Sequence, residues 1–264
     1  QHQLPGNTMV EAAYLANASR KLSSANMSIN QVLPQNLTAT SKQIDRPYAQ
    51  FTNVSIERPS LGLSNYHAMM LRTEKRFSGG WNFLVTYTWS KFLNNTNEGG
   101  SAVGAEGGVY SNYYNRRADY GPSENDIPHR ATFSSVYELP FGKGKKFLAE
   151  NPIRYIVGNW SVGGILNWQA GAPFTVTTQV NTVFSASGGL RADVSGDPKL
   201  SGSERTLDRW FRTEAFSQPA PAQFGNQGVN ILRSDGYFGL NMSLLRNFPL
   251  PGEGRMIQLR GEFF

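Results

Sequence analysis

The sequence contains no cysteine and few charged residues: 17% are Asp, Glu, Lys or Arg, against about 25% in an ordinary soluble domain. The lack of cysteine excludes a disulfide scaffold and argues against a zinc ribbon. The scarcity of charge argues against a coiled coil or a helical bundle rich in Glu and Lys. No run approaches roughly 18 apolar residues, so no transmembrane helix is predicted. Because 12% of the residues are aromatic, too many for a disordered chain, the composition favours a β-rich protein with long polar loops.

The start of the chain and its net charge give further information on the kind of protein. The sequence begins with Gln1 and not with Met, and no basic segment followed by an apolar segment, as in a signal peptide, is present. We therefore expect a processed protein or a piece of a longer one. The formal net charge is +6, and its densest cluster is Lys143, Lys145 and Lys146. This cluster is too small to indicate nucleic acid, so no nucleic-acid partner is expected.

Alternation of apolar and polar residues is clearest in segment 80–91. Apolar side chains recur there at every second position: Trp81, Phe83, Val85, Tyr87 and Trp89. A period of two over this length predicts a strand with two chemically different faces. The same pattern, weaker in the first two segments, predicts seven strands: 8–17, 65–77, 80–91, 129–140, 159–170, 237–247 and 255–264.

The length of these strands separates two interpretations. Ordinary strands have about 5–6 residues, whereas a strand of about 9–11 residues tilted near 45° spans a bilayer and carries aromatic residues at both interfaces. Trp81 and Trp89 fit two such aromatic girdles. The connections alternate between long (18–64, 92–128, 171–236) and short (78–79, 141–158, 248–254). Long extracellular loops and short periplasmic turns are typical of outer-membrane barrels.

The strand count predicts an incomplete barrel. A closed bacterial barrel has an even number of strands and returns its C-terminus to the periplasm. The seventh predicted strand instead ends on the long-loop side, and polar Glu262 and Arg260 precede Phe264 at alternate positions. We therefore expect at least one strand after Phe264 and more before Gln1.

Short motifs along the chain carry a resemblance to a known family. They are RPYAQF (46–51), SNYHA (64–68), EKRF (74–77), YTWSK (87–91), DIPHR (126–130), ELPFGKG (138–144), GNW (158–160), GAPF (171–174) and QLRGEFF (258–264). In this order they resemble the C-terminal part of the barrel of Oar-like TonB-dependent receptors of the acidobacterial and myxobacterial type. The match covers nearly the whole chain, and Ala49 stands where the family often has a second Pro.

The resemblance implies a fold, a location and a function. Residues 1–264 would be the C-terminal portion of a 22-stranded antiparallel transmembrane β-barrel in the bacterial outer membrane, with long extracellular loops. A plug and a TonB box would lie upstream of Gln1. The implied function is energised import of a nutrient of the siderophore, cobalamin or oligosaccharide class. The expected partners are outer-membrane lipid and lipopolysaccharide, the plug, the rest of the barrel, the TonB complex indirectly, and a small-molecule or oligosaccharide ligand.

The connection 92–128 is the predicted recognition loop. Its tyrosines lie among amides and cations, which suit stacking on sugar faces or contact with a polar chelate. The alternative is that these side chains hold a long loop in shape. The candidate ligand-binding residues are Tyr110, Tyr113, Tyr114, Arg116, Arg117 and Tyr120.

No constellation in the sequence indicates catalysis or metal binding. His2, His67 and His129 share no metal-ligand spacing, and no G-x-S-x-G motif is present. We therefore expect no enzyme activity, no cofactor and no metal. The charges predicted to face the lumen are expected to form a hydrated wall with ion pairs: Arg72, Glu74, Arg76, Arg130, Glu138, Arg260 and Glu262.

Two other classes stay open at this point: a soluble secreted β-sheet module that binds carbohydrate or acts as an adhesin, and a passive porin. The direction of the apolar faces separates the soluble class from the membrane classes. A soluble protein would bury Trp81, Phe83 and Val85 against a second sheet. A barrel would turn them outward in a band about 25 Å tall.

Overall fold

The computed structural model describes residues 1–96, 110–185, 190–250 and 255–264, and its main element is one antiparallel sheet. Eight strands pair in chain order, each with its neighbours along the sequence, and the two-residue strand Gly121–Pro122 adds to the end of the fourth. The eight strands are β1 (His2–Leu4), β2 (Thr8–Leu22), β3 (Gly62–Ser78), β4 (Trp81–Asn94), β5 (His129–Glu138), β6 (Trp160–Gln169), β7 (Tyr237–Pro249) and β8 (Met256–Phe263).

The predicted all-β antiparallel fold is confirmed, and all seven predicted strands are present. The sequence pattern missed β1, because a three-residue strand is too short to show a period of two. It pairs with β2 from His2–Val10 to Leu4–Thr8. The pattern also ended β2 too early, since the residues beyond position 17 lose the alternation, and the register shifts between Arg20 and Leu22.

The strand register aligns alternating residues into rows that cross the sheet. One row consists of Ala12, Leu71, Tyr87, Ala131, Trp168 and Phe238. The adjacent row consists of Glu11, Arg72, Thr86, Thr132, Asn167 and Gly239. Paired residues lie on the same face of a sheet, and successive residues lie on opposite faces. The sheet therefore has an apolar face, which carries the first row, and a polar face, which carries the second.

The connections are sorted by length between the two ends of the sheet, as the sequence predicts. At the turn end lie 5–7, 79–80, 139–159 and 250–255, and the third of these contains the α-helix Arg154–Val157. At the loop end lie 23–61, 95–128 and 170–236. In the part of the chain that the structure describes, no helix is both long and apolar enough to cross a bilayer.

The described residues of the three loop-end connections fold together into a unit that we call the loop cap. Among the described residues other than glycine, every buried side chain except Ala68 and Ser90 belongs to it. Its paired short strands are Met27–Ser28 with Ser55–Ile56, Pro173–Phe174 with Leu232–Arg233, and Asp193–Val194 with Phe216–Ser217. Its 3₁₀ turns are Pro34–Asn36, Gln43–Asp45, Arg116–Asp119, Gly202–Glu204 and Thr213–Ala215.

Polar side chains join the connections of the loop cap. The side chain of Gln31 donates to Asn112 Oδ1 (3.1 Å) and accepts from the Tyr113 amide (2.8 Å), which links 23–61 to 95–128. Arg191 forms an ion pair with the buried Asp119 at 2.5 Å, which links 170–236 to 95–128. Because buried polar groups must be paired to be tolerated, these contacts fix the mutual position of the three connections.

A second buried carboxylate lies where the loop cap meets the sheet. Asp126 has a fully buried side chain that accepts a hydrogen bond from the Phe92 amide (2.6 Å) and forms an ion pair with Arg233. Arg233 Nη1 also donates to the Asp126 carbonyl oxygen (2.6 Å). This cluster ties the end of β4 to two loop-end connections.

Gly171 allows a close backbone approach at the base of the loop cap. A Cβ at this position would overlap the carbonyl oxygens of Ser234 and Asp235, whereas a Cβ at Gly202 would meet no atom within 4 Å. We expect Gly171→Ala to loosen the cap, because backbone atoms cannot move aside as a side-chain end can. Limited proteolysis of the full-length protein should show faster cleavage in the cap. The Gly202→Ala variant should be cleaved at the native rate, and equal rates for both variants would contradict the prediction.

Candidate functional site

The apolar face of the sheet is exposed in the described residues. Phe238 is 62% exposed and Trp89 57%, and Trp81 is exposed as well. Every extensive contact between long strands is a contact between ladder neighbours, so no second sheet covers this face in the described part of the chain. An uncovered apolar surface of this extent marks a lipid or protein contact.

The height of the apolar face matches the hydrocarbon layer of an outer membrane. Trp81 and Trp89 are at opposite ends of the face on β4, about 27 Å apart along the strand. At the usual strand tilt this distance corresponds to about 20 Å of height, comparable with the apolar band of about 25 Å on outer-membrane barrels. The rows between them include Val85, Phe133, Leu166 and Leu240.

An aromatic rim borders the apolar face at the loop end. The Tyr87 hydroxyl is hydrogen-bonded to His129 Nδ1 at 2.9 Å, and the His129 ring stacks on Tyr87 and on Trp168 with centroid distances of 6.2 and 6.4 Å. Trp89 pairs directly with His129 in the ladder. Rings that combine an apolar body with a polar tip favour a membrane interface.

A second aromatic rim borders the apolar face at the turn end. Trp81 pairs with Tyr137 in the ladder, and Trp160 Nε1 donates to the Ile156 carbonyl oxygen at 3.0 Å. The Arg246 guanidinium lies 5.4 Å from the Trp160 ring centroid. A cation beside the indole at this height fits the headgroup side of an interface.

The polar face borders a cavity of about 550 Å³. Six of the residues around this cavity belong to five neighbouring strands: Arg72, Glu74, Asn82, Ser134, Gly163 and Ser243. The cavity therefore extends across the polar face of five strands. The charges predicted to face the lumen lie on this face at Arg72, Glu74, Arg130, Glu138, Arg260 and Glu262, and Arg76 borders the cavity.

Ion pairs neutralise part of the charge on the polar face. Arg72 and Glu74 lie 2.6 Å apart, and Arg260 pairs with Glu262. These pairs are partly exposed, so each contributes at most about 1 kcal/mol. The face has the character of a hydrated wall.

Two of the six predicted ligand-binding residues take part in the packing of the loop cap. Tyr110 is 3% exposed and packs in a cluster with Ala25 and Met27, and Tyr113 packs against that cluster. Burial raises the pKa of Tyr110, while the neighbouring Ser24 acts in the opposite direction. Both tyrosines therefore pack with residues of 23–61, which they join to 95–128.

The other four predicted residues border one cavity of about 660 Å³. Tyr114, Arg116, Arg117 and Tyr120 are joined there by residues from the strand ends and adjacent loops: Arg20, Leu61, Leu63, Asn65, Asn95 and Asn115. Burial raises the pKa of Tyr114, with a further contribution from Tyr113, so its hydroxyl stays protonated at neutral pH. We call this space the arginine cavity.

The arginine cavity carries three guanidinium groups and no carboxylate among its described lining residues. Arg20, Arg116 and Arg117 form no ion pair within 4.0 Å with any described residue. The nearest acidic residue in sequence, Asp119, is paired with Arg191 instead. The cavity is therefore suited to an anion.

Hydrogen bonds fix the strand side of the arginine cavity. Arg20 Nη1 donates to Asn65 Oδ1 (3.1 Å) and to the carbonyl oxygens of Ser19 (3.0 Å) and Ser64 (3.4 Å). Asn65 Nδ2 in turn donates to the Tyr120 hydroxyl at 2.5 Å. Arg20 and Asn65 were not predicted as site residues, because both lie outside the predicted loop 92–128, on strands that precede it. The one indication in the sequence was Arg20 itself, a cation at a position that alternates in phase with the apolar residues of β2.

No metal centre is found in the described ranges, where no group of three His, Cys, Asp or Glu residues has a suitable arrangement. The geometry of the site is thus that of two surfaces and a cavity: an outward apolar face, a polar wall and an anion-compatible pocket.

These features define the class of protein. An exposed apolar face between two aromatic rims, a polar face on the other side and connections sorted by length are the properties of an integral outer-membrane β-barrel protein. A soluble β-sandwich would bury the apolar face against a second sheet, and no described strand does so.

Comparison with protein families identifies the particular family. The family described as "Outer membrane beta barrel domain" matches residues 1–264. The chain belongs to this family, and its location is the bacterial outer membrane. Among curated proteins and among solved structures, no match was found.

Proposed function

We propose that the chain forms part of the barrel wall and the extracellular loops of a TonB-dependent receptor that imports a nutrient. The loop cap is the observation that carries this proposal. Three connections fold into a unit with its own buried interior, which offers a shaped surface for recognition. A passive pore needs only an open, hydrated lumen. The resemblance to Oar-like receptors supports the same choice.

The mechanism that we propose is binding followed by gated passage, without covalent chemistry. The loop cap would contact a siderophore, cobalamin or oligosaccharide, and the polar wall would line its route. The charges of that wall are arranged in pairs such as Arg72–Glu74, which suits contact with water and with a plug. The protein would therefore be a transporter and no enzyme, and it would need no cofactor.

The partners follow from the open edges of the sheet. Among the described residues, β1 pairs only with β2, and β8 pairs only with β7. Lipid cannot satisfy the free backbone groups of such edges. We propose that other barrel strands pair with both edges, that a plug fills the lumen, and that the TonB complex acts on that plug.

Uptake by cells that produce the full-length receptor tests this function. The probes are radiolabelled ferric siderophore, cyanocobalamin and maltodextrin, each in cells with and without TonB. We expect import of one probe to fall at least tenfold when TonB is absent, because energised release needs the TonB complex. The complete protein sequence should also contain a plug domain before Gln1. Diffusion of small sugars through reconstituted protein without TonB, or a complete sequence without a plug, would overturn the proposal in favour of a passive porin.

A further inference from the structure

The arginine cavity lies on the membrane-facing side of the strands. Arg20, Leu63 and Asn65 occupy positions of β2 and β3 that alternate in phase with Tyr14 and Met69, and Met69 is the ladder partner of Trp89. These residues therefore belong to the apolar face, continued beyond its loop-end rim. A ligand that reaches the cavity from this side comes from the membrane and not from the lumen.

The height of the cavity places it at the outer edge of the lipid headgroup layer. Asn65 lies four residues beyond Met69, or about 14 Å along the strand and about 10 Å in height at a tilt near 45°. The headgroup layer above the hydrocarbon is about 5–8 Å thick. Arg20 pairs with Leu63, and its guanidinium is hydrogen-bonded to Asn65, so its charge lies at the outer boundary of that layer.

The chemistry of the cavity fits a phosphorylated amphiphile. Three guanidinium groups supply paired N–H donors of the geometry that phosphate oxygens accept. Tyr114 and Tyr120 offer ring faces and hydroxyls, which suit a sugar, and Leu61 and Leu63 offer apolar contact. A site for a small free anion would need the cations alone.

Arg20 is held in place by hydrogen bonds, and none of the three cations is paired with an acidic residue in the described part of the chain. Arg20 is anchored by Asn65, and Asn65 is anchored by Tyr120. Arg116 and Arg117 begin the 3₁₀ turn Arg116–Asp119, whose Asp119 is turned away to Arg191. Because no described acidic residue pairs with them, these cations keep their charge available to a ligand.

We propose that the arginine cavity binds the phosphate groups of the outer-leaflet glycolipid, the lipopolysaccharide expected as a partner, through Arg20, Arg116 and Arg117. The cavity then anchors the loop cap to the membrane surface. This role goes beyond import and does not depend on it, since it requires only the outer-membrane location. It also gives Tyr114, Arg116, Arg117 and Tyr120 a lipid as ligand, in place of the transported nutrient.

A lipid-binding measurement on the full-length protein in detergent tests the proposal. The probes are bisphosphoryl lipid A, its dephosphorylated form and inorganic phosphate, and retention is read by native mass spectrometry. Binding of bisphosphoryl lipid A should weaken at least tenfold in the triple variant Arg20→Gln, Arg116→Gln, Arg117→Gln. The charge-matched control Lys42→Gln, Arg58→Gln, Lys199→Gln removes three exposed loop cations outside the cavity and should bind as the native protein does.

The other arms distinguish the lipid from a free anion. Dephosphorylated lipid A should bind at least tenfold more weakly than the bisphosphoryl form, and inorganic phosphate at equal concentration should not displace it. Native retention by the triple variant, or displacement by inorganic phosphate, overturns the proposal. Folding of each variant is checked by its heat-modifiable mobility. If the triple variant fails to fold, the exposed pair Arg116→Gln, Arg117→Gln must still weaken lipid A binding at least threefold, and an unchanged affinity overturns the proposal.

Discussion

Replacement of Phe133 by arginine is expected to remove most of the correctly assembled full-length protein from the outer membrane. Phe133 lies in the middle row of the apolar face, between Val85 and Leu166 in the ladder. An arginine facing lipid at mid-depth costs about 2–4 kcal/mol. This cost lowers the equilibrium constant for assembly of the protein in the membrane by a factor of about 30 to several hundred. The heat-modifiable fraction on a gel measures the effect.

The neighbouring residue supplies the matched control. Ser134 is the next residue on β5, faces the opposite side and borders the polar-face cavity. Its replacement by arginine adds the same charge to a hydrated wall, so the folded fraction should stay within about twofold of the native value. Equal loss in Phe133→Arg and Ser134→Arg would contradict the assignment of the two faces.

Replacement of Asp126 by alanine is expected to open the loop cap at its junction with the sheet. The substitution leaves the Phe92 amide and Arg233 without the acceptor that they share in the native protein. Breaking a buried pair of this kind costs about 3 kcal/mol. Amide hydrogen exchange in residues 110–128 of the full-length protein should therefore become about 100-fold faster.

An exposed ion pair of the same loop cap provides the comparison. Arg209 and Glu214 lie 2.5 Å apart with more than half of each side chain exposed. Solvent screening makes such a pair worth about 0–1 kcal/mol, so Glu214→Ala should leave exchange nearly unchanged. An equal acceleration of exchange in Asp126→Ala and Glu214→Ala would contradict the prediction that the buried junction at Asp126 stabilises the cap.

The strands of the sheet could be predicted from the sequence, because the alternation of apolar and polar residues that specifies them is a local pattern. In β4, alternation alone specifies which side chains share a face, and the register only has to align it with β3 and β5. The strand ends were harder to place. Beyond position 17 of β2 and before position 65 of β3, polar residues occur on both faces, and pairing partners decide where the ladder stops.

The loop cap could not be predicted from sequence because its contacts are distant. Arg233 meets Asp126 across 107 positions, and Asn230 Nδ2 donates to the Pro122 carbonyl oxygen across 108. No periodic pattern records such pairs. Composition did point to the tyrosine-rich and arginine-rich stretch 110–120. It could not separate the buried Tyr110 from Tyr114, because burial depends on which other loop lies on top.

The strictly sequential strand order has a consequence for assembly kinetics. Each strand pairs with the strands that come directly before and after it in the sequence. The sheet can therefore grow by adding one strand at a time to an existing edge. The entropy of closing a loop rises by only about 0.6 kcal/mol for each doubling of its length. The long connections at one end therefore slow each addition little. Evolution can lengthen or shorten them with small effects on the rate of barrel formation, while any change of strand order would force a slow search among distant segments.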